Sequence, residues 1–495
     1  MAQARARNKT RMLYSAFAMG LCAATLWGAW GCQRENAPGT RETSGTRLKR
    51  RYYRAPGGAE LLVGYYDVEL ETPCELARAG DGAFRCLPVR PYLERSTPGA
   101  SIAIPTAIYF ADASCEVPVR GFEAGCEPPP YYKSSEIVGC DNHYTVFRVG
   151  EEVAREDLYM KEFGTGDCVP ESGATMGDQR YHVVQDEVPP RTFVKLEREG
   201  VFGSQRLGRQ VYAGSDGARI HGEVLDLQLD VACRVWRTLD ETPRCVPSKT
   251  ASLGYYSSPD CDTPLANHSQ GAECVEDHVF DYEERDGFPY AVIFELGAQV
   301  EPEVVYSSVG GVCEESALFQ GIAFWEVGPE VPQETFVALS EHRGESEGRI
   351  QTFGLSTPDG FELPRREFWD SGREERCRPQ TTADGVVRCV PYLNPIREAF
   401  RDDACTQPSP VALITSSFFN TEGETQYGGR FGETCPETVE VFQLTETAAA
   451  TPLYEEIAGE CRELQLFIPM GAEGYVELGD AVPAEDFEPL EQVTE

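Results

Sequence analysis

Three cysteine pairs, Cys74 with Cys86, Cys233 with Cys245 and Cys377 with Cys389, are each spaced by twelve residues, and the second member always sits in a near-constant tetrapeptide, RCLP, RCVP and RCVP. A spacing kept three times means one template written three times, so the fold must accommodate three alike units. The flanks repeat as well. Asp67, Asp226 and Asp370 stand seven residues before the first cysteine, and Asp81, Asp240 and Asp384 five before the second. A third cysteine follows in DASCEVP (Cys115), SPDCDTP (Cys261) and DDACTQP (Cys405).

A second signature closes each unit. VQDEVPPRTFVKL (184–196), VGPEVPQETFVAL (327–339) and LGDAVPAEDFEPL (478–490) share their spacing with weaker copies that begin at Val149, Leu296 and Leu444. In all six, an aliphatic residue is followed four positions on by Val or Ala and nine positions on by Leu, Phe or Val. The chain thus divides into units 51–196, 197–339 and 340–490. Each reads as β. Gly57-Gly58, Asp216-Gly217 and Asp359-Gly360 are hairpin turn pairs between aromatic and β-branched runs, and Asp81-Gly82 and Asp384-Gly385 mark a second hairpin between the paired cysteines. Prolines spread through all units exclude long helices. The expected fold is all-β, either a β-propeller-like closed array of the three units or three β domains in series.

Eighteen cysteines without a single CxxC argue for disulfides in an oxidising compartment rather than zinc or thiol redox chemistry. Beyond the repeated positions, the candidates are Cys126, Cys140, Cys168, Cys313 and Cys461. Unit two lacks an equivalent of Cys140 and unit three an equivalent of Cys126. That pattern predicts a Cys126–Cys140 bridge, with Cys274 and Cys435 free or joined across units.

The N-terminus agrees with export. Arg5, Arg7, Lys9 and Arg11 precede an apolar run that ends in small residues before Cys32, so residues 1–31 read as a signal peptide. Cys32 is the lipidation candidate, residues 32–50 a flexible tether, and Gln33 directs the lipoprotein to the outer membrane rather than the inner one. Membrane contact is then through the lipid alone. Acids outnumber bases 81 to 44, which excludes nucleic acid as the main partner.

In their RC[LV]P, DAxC and VGxEVPxxxFV elements the units resemble a family of uncharacterised cysteine-rich repeat lipoproteins of bacterial cell surfaces. The resemblance implies an exported, lipid-anchored, all-β protein of the periplasm or cell surface, and no reaction.

No catalytic constellation emerges. Ser346 matches GxSxG in RGESEGR but is flanked by charges instead of a buried strand. The six histidines, His143, His182, His221, His268, His278 and His342, form no HExxH and no metal-spaced pair, and His182 occupies the slot of Trp325. Asp67, Asp226 and Asp370 are the metal candidates, with Ca²⁺ as the ion, against the alternative that they satisfy turn amides. Tyr131, Tyr132, Phe400 and Arg401, in stretches that the other units lack, are the candidate binding residues. The expected function is a non-enzymatic envelope scaffold, or a binder of protein or glycan. The rivals are a hydrolase with a two-carboxylate site such as Asp67 and Glu69, and a Ca²⁺-dependent adhesin.

Overall fold

The computed structural model describes residues 41–495 apart from 90–108, 124–125, 163–165, 172–178, 270–273, 276, 286–287, 310–311, 319–320, 345, 416–425, 433–436, 449–451, 458–459 and 465–471. The leader, residues 32–40 of the tether including Cys32, and Cys435 lie outside the described residues. Among the described ones the chain is all-β, with short 3₁₀ turns and no α-helix.

Each section opens with a four-stranded antiparallel meander. In the first, Leu48–Arg54 pairs with Glu60–Asp67, that strand with Thr72–Ala79, and that with Phe84–Pro88. The Gly57-Gly58 turn makes the first hairpin, where Gly58 takes a φ of 84° that only glycine adopts freely. The same order recurs in Leu207–Gly214 to Pro243–Pro247 and in Ile350–Ser356 to Val387–Pro391. Corresponding turn residues Glu71, Asp230 and Glu374 all take a left-handed backbone, at φ 51°, 58° and 57°.

The meanders are stitched by the ends of the doubled signature. After its 3₁₀ turn, Pro190–Thr192, the chain pairs Lys195 and Leu196 with Arg85 and Phe84, then runs on to pair with Leu207–Gly214. Val337 and Ala338 pair with Cys245 and Arg244, and Ser340–Arg343 goes on to Ile350–Ser356. Finally Pro489 bridges Arg388, and Glu491–Thr494 pairs with Arg51–Arg54 of the first meander. The last strand therefore pairs with the first meander, and at the second joint it is the chain, running from Ala338 to Ser340, that passes from one sheet to the next. The apolar cores sit at these joints. One gathers Leu48, Tyr65, Leu196 and Tyr212, a second Leu207, Leu339, Leu355 and Phe361, and a third Tyr53, Leu61, Ile350, Phe368 and Leu490.

Between meander and joint, each section inserts a small β-unit. In the second section five strands close on themselves: Ala251–Tyr256, Pro264–His268, Ala323–Glu330, Phe288–Val300 and His278–Arg285, the last parallel to the first. The third section closes in the same order, and the first shows four corresponding strands. The doubling of the signature has its physical reason here. Its two copies pair with each other, Val149 with Val184, Leu296 with Val327 and Leu444 with Leu478, each pair flanked on both sides by a shift of register. The strands come so close that a Cβ on Gly297 would lie 2.6 Å from the Glu326 carbonyl oxygen, and one on Gly328 2.8 Å from that of Glu295.

Disulfides join the twelve-residue pairs across the third and fourth meander strands, and also Cys115–Cys168, Cys261–Cys313 and Cys405–Cys461. The expected Cys126–Cys140 bridge is not formed. Cys140 is bonded to Cys274 in the next section, and Cys126 is also disulfide-bonded. Pairing within a unit was the wrong assumption: Cys140 finds its partner in the second section, which has no counterpart of Cys140 to pair with Cys274 itself. The tether reading also runs too far. Thr43 pairs with Arg219, Leu48 is fully buried, and Asp216 accepts the backbone N–H of Arg47 and of Leu48.

Candidate functional site

The repeated aspartates serve the frame. Asp67 is fully buried; its carboxylate receives Nε and Nη2 of Arg47 at 2.7 Å each, and the backbone N–H groups of Glu69 and Leu70 at 3.1 and 3.2 Å. Asp226 does the same with Arg206 and the amides of Gln228 and Leu229, and Asp370 with Arg349 and the amides of Gly372 and Arg373. A bidentate guanidinium thus stands where a cation would have to be, which is the physical reason these acids are turn buckles and not calcium ligands. Arg47 and Arg206 also donate to the carbonyls of Thr192 and Thr335 in the 3₁₀ turns, tying buckle to joint. No group of three or more His, Cys, Asp or Glu side chains that could hold a metal occurs among the described residues. Asp67 and Glu69 both bind the same Arg47, and Asp67 is fully buried.

The second aspartate set buckles the other turn. Arg85, Arg244 and Arg388, the arginines of the RC[LV]P motif, each pair with the aspartate four residues earlier and donate 2.9 Å bonds to the carbonyls of Phe193, Phe336 and Phe487. Hydrogen bonds from Thr382 and Arg388 bring the Asp384 carboxyl down to about 2. The Arg85 bond holds Asp81 below the ordinary carboxylate range.

The remaining sequence candidates have local duties. Ser346 Oγ lies 3.2 Å from the Gly57 carbonyl and 3.1 Å from that of Ile350, holding a turn. His182 is buried, with Nδ1 3.1 Å from the Gly150 carbonyl and its ring edge-on to Phe122. Tyr131 packs edge-on against Phe193, and Tyr132 is buried against Phe147. Both are packing residues rather than an exposed binding face. Phe400 is half-buried and bridges Pro408 and Tyr454, while the exposed Arg401 pairs with Glu477 at 2.6 Å. These four are not brought together.

What sequence reasoning did not find is a cavity of about 820 Å³ to which all three meanders contribute. That size suits a small ligand. The first section supplies Leu62, Val63 and Leu76 beside the charged Arg51, Glu60 and Glu75, the second Arg209, His221 and Glu223, and the third Arg365, Arg366 and Glu367. The third wall holds a buried charge network: Glu367 binds Arg365 at 3.2 Å, Arg376 at 3.3 Å and the Tyr392 hydroxyl. Burial works against the Glu367 charge, yet the two guanidinium groups hold its pKa below the usual value. The Tyr392 hydroxyl is pushed up by burial and by that carboxylate. Arg366, Glu223 and Glu362 are exposed at the cavity. Arg209 and His221 touch, with Nη1 3.0 Å from Nδ1. The signal in the sequence was the mismatch between units along otherwise alike strands, ELLVGYYD against RIHGEVLD and ELPRREFWD.

The model of a family of unknown function matches residues 26–487. No curated protein and no solved structure matches the chain.

Proposed function

The chain belongs to that family of unknown function (DUF7481), and from this premise we propose that it is a non-enzymatic binding module of the bacterial envelope, with the junction cavity as its ligand site. The observation that carries the reading is the division of labour among residues. The acids repeated in every section are locked in buried arginine pairs, whereas the residues that differ between sections converge on one cavity of mixed apolar and charged lining. Disulfides in this number indicate an exported or extracellular chain. The basic leader and Cys32 support a lipid anchor, and Gln33 an outer-membrane address. A glycan suits the cavity better than a protein, because it is recessed and rich in paired hydrogen-bonding groups.

The test screens the purified oxidised protein against envelope polysaccharide and peptidoglycan fragments by thermal shift. A fragment that raises the Tm of the wild type but not of Arg366→Glu supports the reading. Release of a cleaved product from any of them marks a hydrolase and sinks it. For the anchor, Cys32→Ser is expected to move the protein from the membrane fraction to the soluble one.

A further inference from the structure

The cavity contains a nitrogen with two incompatible partners. His221 Nδ1 lies 3.0 Å from Arg209 Nη1 and 3.5 Å from Glu42 Oε2. A guanidinium has no acceptor, so the first contact needs a bare lone pair on Nδ1, with the ring proton on Nε2. The second, to a carboxylate, is a hydrogen bond only when Nδ1 carries a proton. One atom cannot serve both at once.

The surroundings keep both partners in place. Glu42 Oε1 accepts the His221 backbone N–H at 3.2 Å, its neighbour Thr43 exchanges backbone bonds with Arg219, and the Tyr65 hydroxyl stands 3.5 Å from the same Oε1. Arg209 comes from the adjacent strand, Leu207–Gly214; burial disfavours its charge and Glu42 favours it. Glu223 and Arg219 lie on the histidine's own strand, with Arg219 held by Glu199, and the same cavity is lined by Arg51, Glu75, His342 and Arg366.

We propose, on the reading that this cavity binds a ligand, that it is an acid-gated oxyanion site in which protonated His221 gives its Nδ1 to Glu42 and releases Arg209 to bind a carboxylate, sulfate or phosphate group. In the step, Nδ1 takes one proton from solvent, the Arg209–Nδ1 bond breaks and an Nδ1–H···Oε2 bond forms, so the cavity gains one positive charge. Glu42 supplies the acceptor that keeps the ring turned away from Arg209. Imidazole titrates in the interval of about pH 5 to 8 that an exposed envelope meets.

Sulfate is the probe, because its charge is constant over this interval. Calorimetric titration at constant ionic strength is expected to show about tenfold tighter sulfate binding at about pH 5.5 than at about pH 8. Arg209→Gln abolishes the gain. His221→Phe, which removes the Nδ1 acceptor from Arg209 at any pH, binds sulfate equally at both. Equal binding by the wild type at the two pH values, or acid-enhanced binding that survives Arg209→Gln, overturns the proposal. The tautomer is read on the wild-type protein without ligand, by long-range ¹H–¹⁵N NMR of His221. A proton on Nε2 alone at high pH and on both nitrogens at low pH is required, and an Nδ1–H tautomer at high pH overturns the gate. That readout separates failure of the gate from failure of the cavity to take an envelope glycan.

Discussion

Glu375 is the residue at which burial and charge are least reconciled. It lies half-buried beside Asp370, where its equivalents in the other sections are Thr72 and Val231, and desolvation, reinforced by Asp370, raises its carboxyl to about 7. Because the folded value lies above the ordinary one, the folded state prefers the protonated acid. Its contribution is most favourable below the ordinary carboxylate range and is lost as pH rises through about 7. Glu375→Val should therefore raise the urea midpoint at pH 8 and leave it nearly unchanged at pH 4. The buckles behave oppositely, since a lowered carboxyl such as Asp384 gives stability that is present at neutral pH and lost as pH falls towards about 2. Removing a buried partner is severe: Asp226→Ala takes the carboxylate from the Arg206 guanidinium and from two turn amides, and should lower stability by about 3–5 kcal/mol in denaturant unfolding. Because a guanidinium fills the cation's place, adding a chelator should leave the Tm of the wild type where it was; a fall would restore the calcium reading.

Among elements, the joints hold sections together by pairing and by a cross-section disulfide. Cys140–Cys274 closes a loop of 134 residues, for which loop entropy alone gives up to about 5 kcal/mol. Cys140→Ser should lower the Tm, and non-reducing peptide mapping of the wild type should recover the two cysteines in one linked peptide pair. Recovery of Cys126 linked to Cys140 would reinstate pairing within the unit. The 3₁₀ turn and its following phenylalanine are the other fastening. Phe193, Phe336 and Phe487 are buried, and each carbonyl takes an arginine from the preceding meander.

At the scale of the molecule, the return to the first meander depends on the last strand. Glu491–Thr494 covers Arg51–Arg54, and Leu490 enters the core with Tyr53, Leu61, Ile350 and Phe368. Deleting residues 488–495 should expose the amides of Arg51–Arg54 and loosen the cavity walls of the first and third sections together. Hydrogen exchange checks this: deprotection confined to residues 51–54 would mean that closure contributes little beyond its own bonds.

The all-β class, the hairpin turns and the disulfide-rich, exported character were legible in the sequence, because turn chemistry and cysteine spacing act over a dozen residues or fewer. So was the existence of six matching segments, though not that they pair two by two. Partner choice over long separations was not legible. Arg47 reaches Asp67 from twenty residues away, Cys140 finds Cys274 in another section, and Glu42 meets His221 across the joint. Such contacts are selected by how three similar sheets close on one another, and the cavity exists only where they do. Local sequence thus determined what each section is made of, and tertiary structure decided where their differences meet.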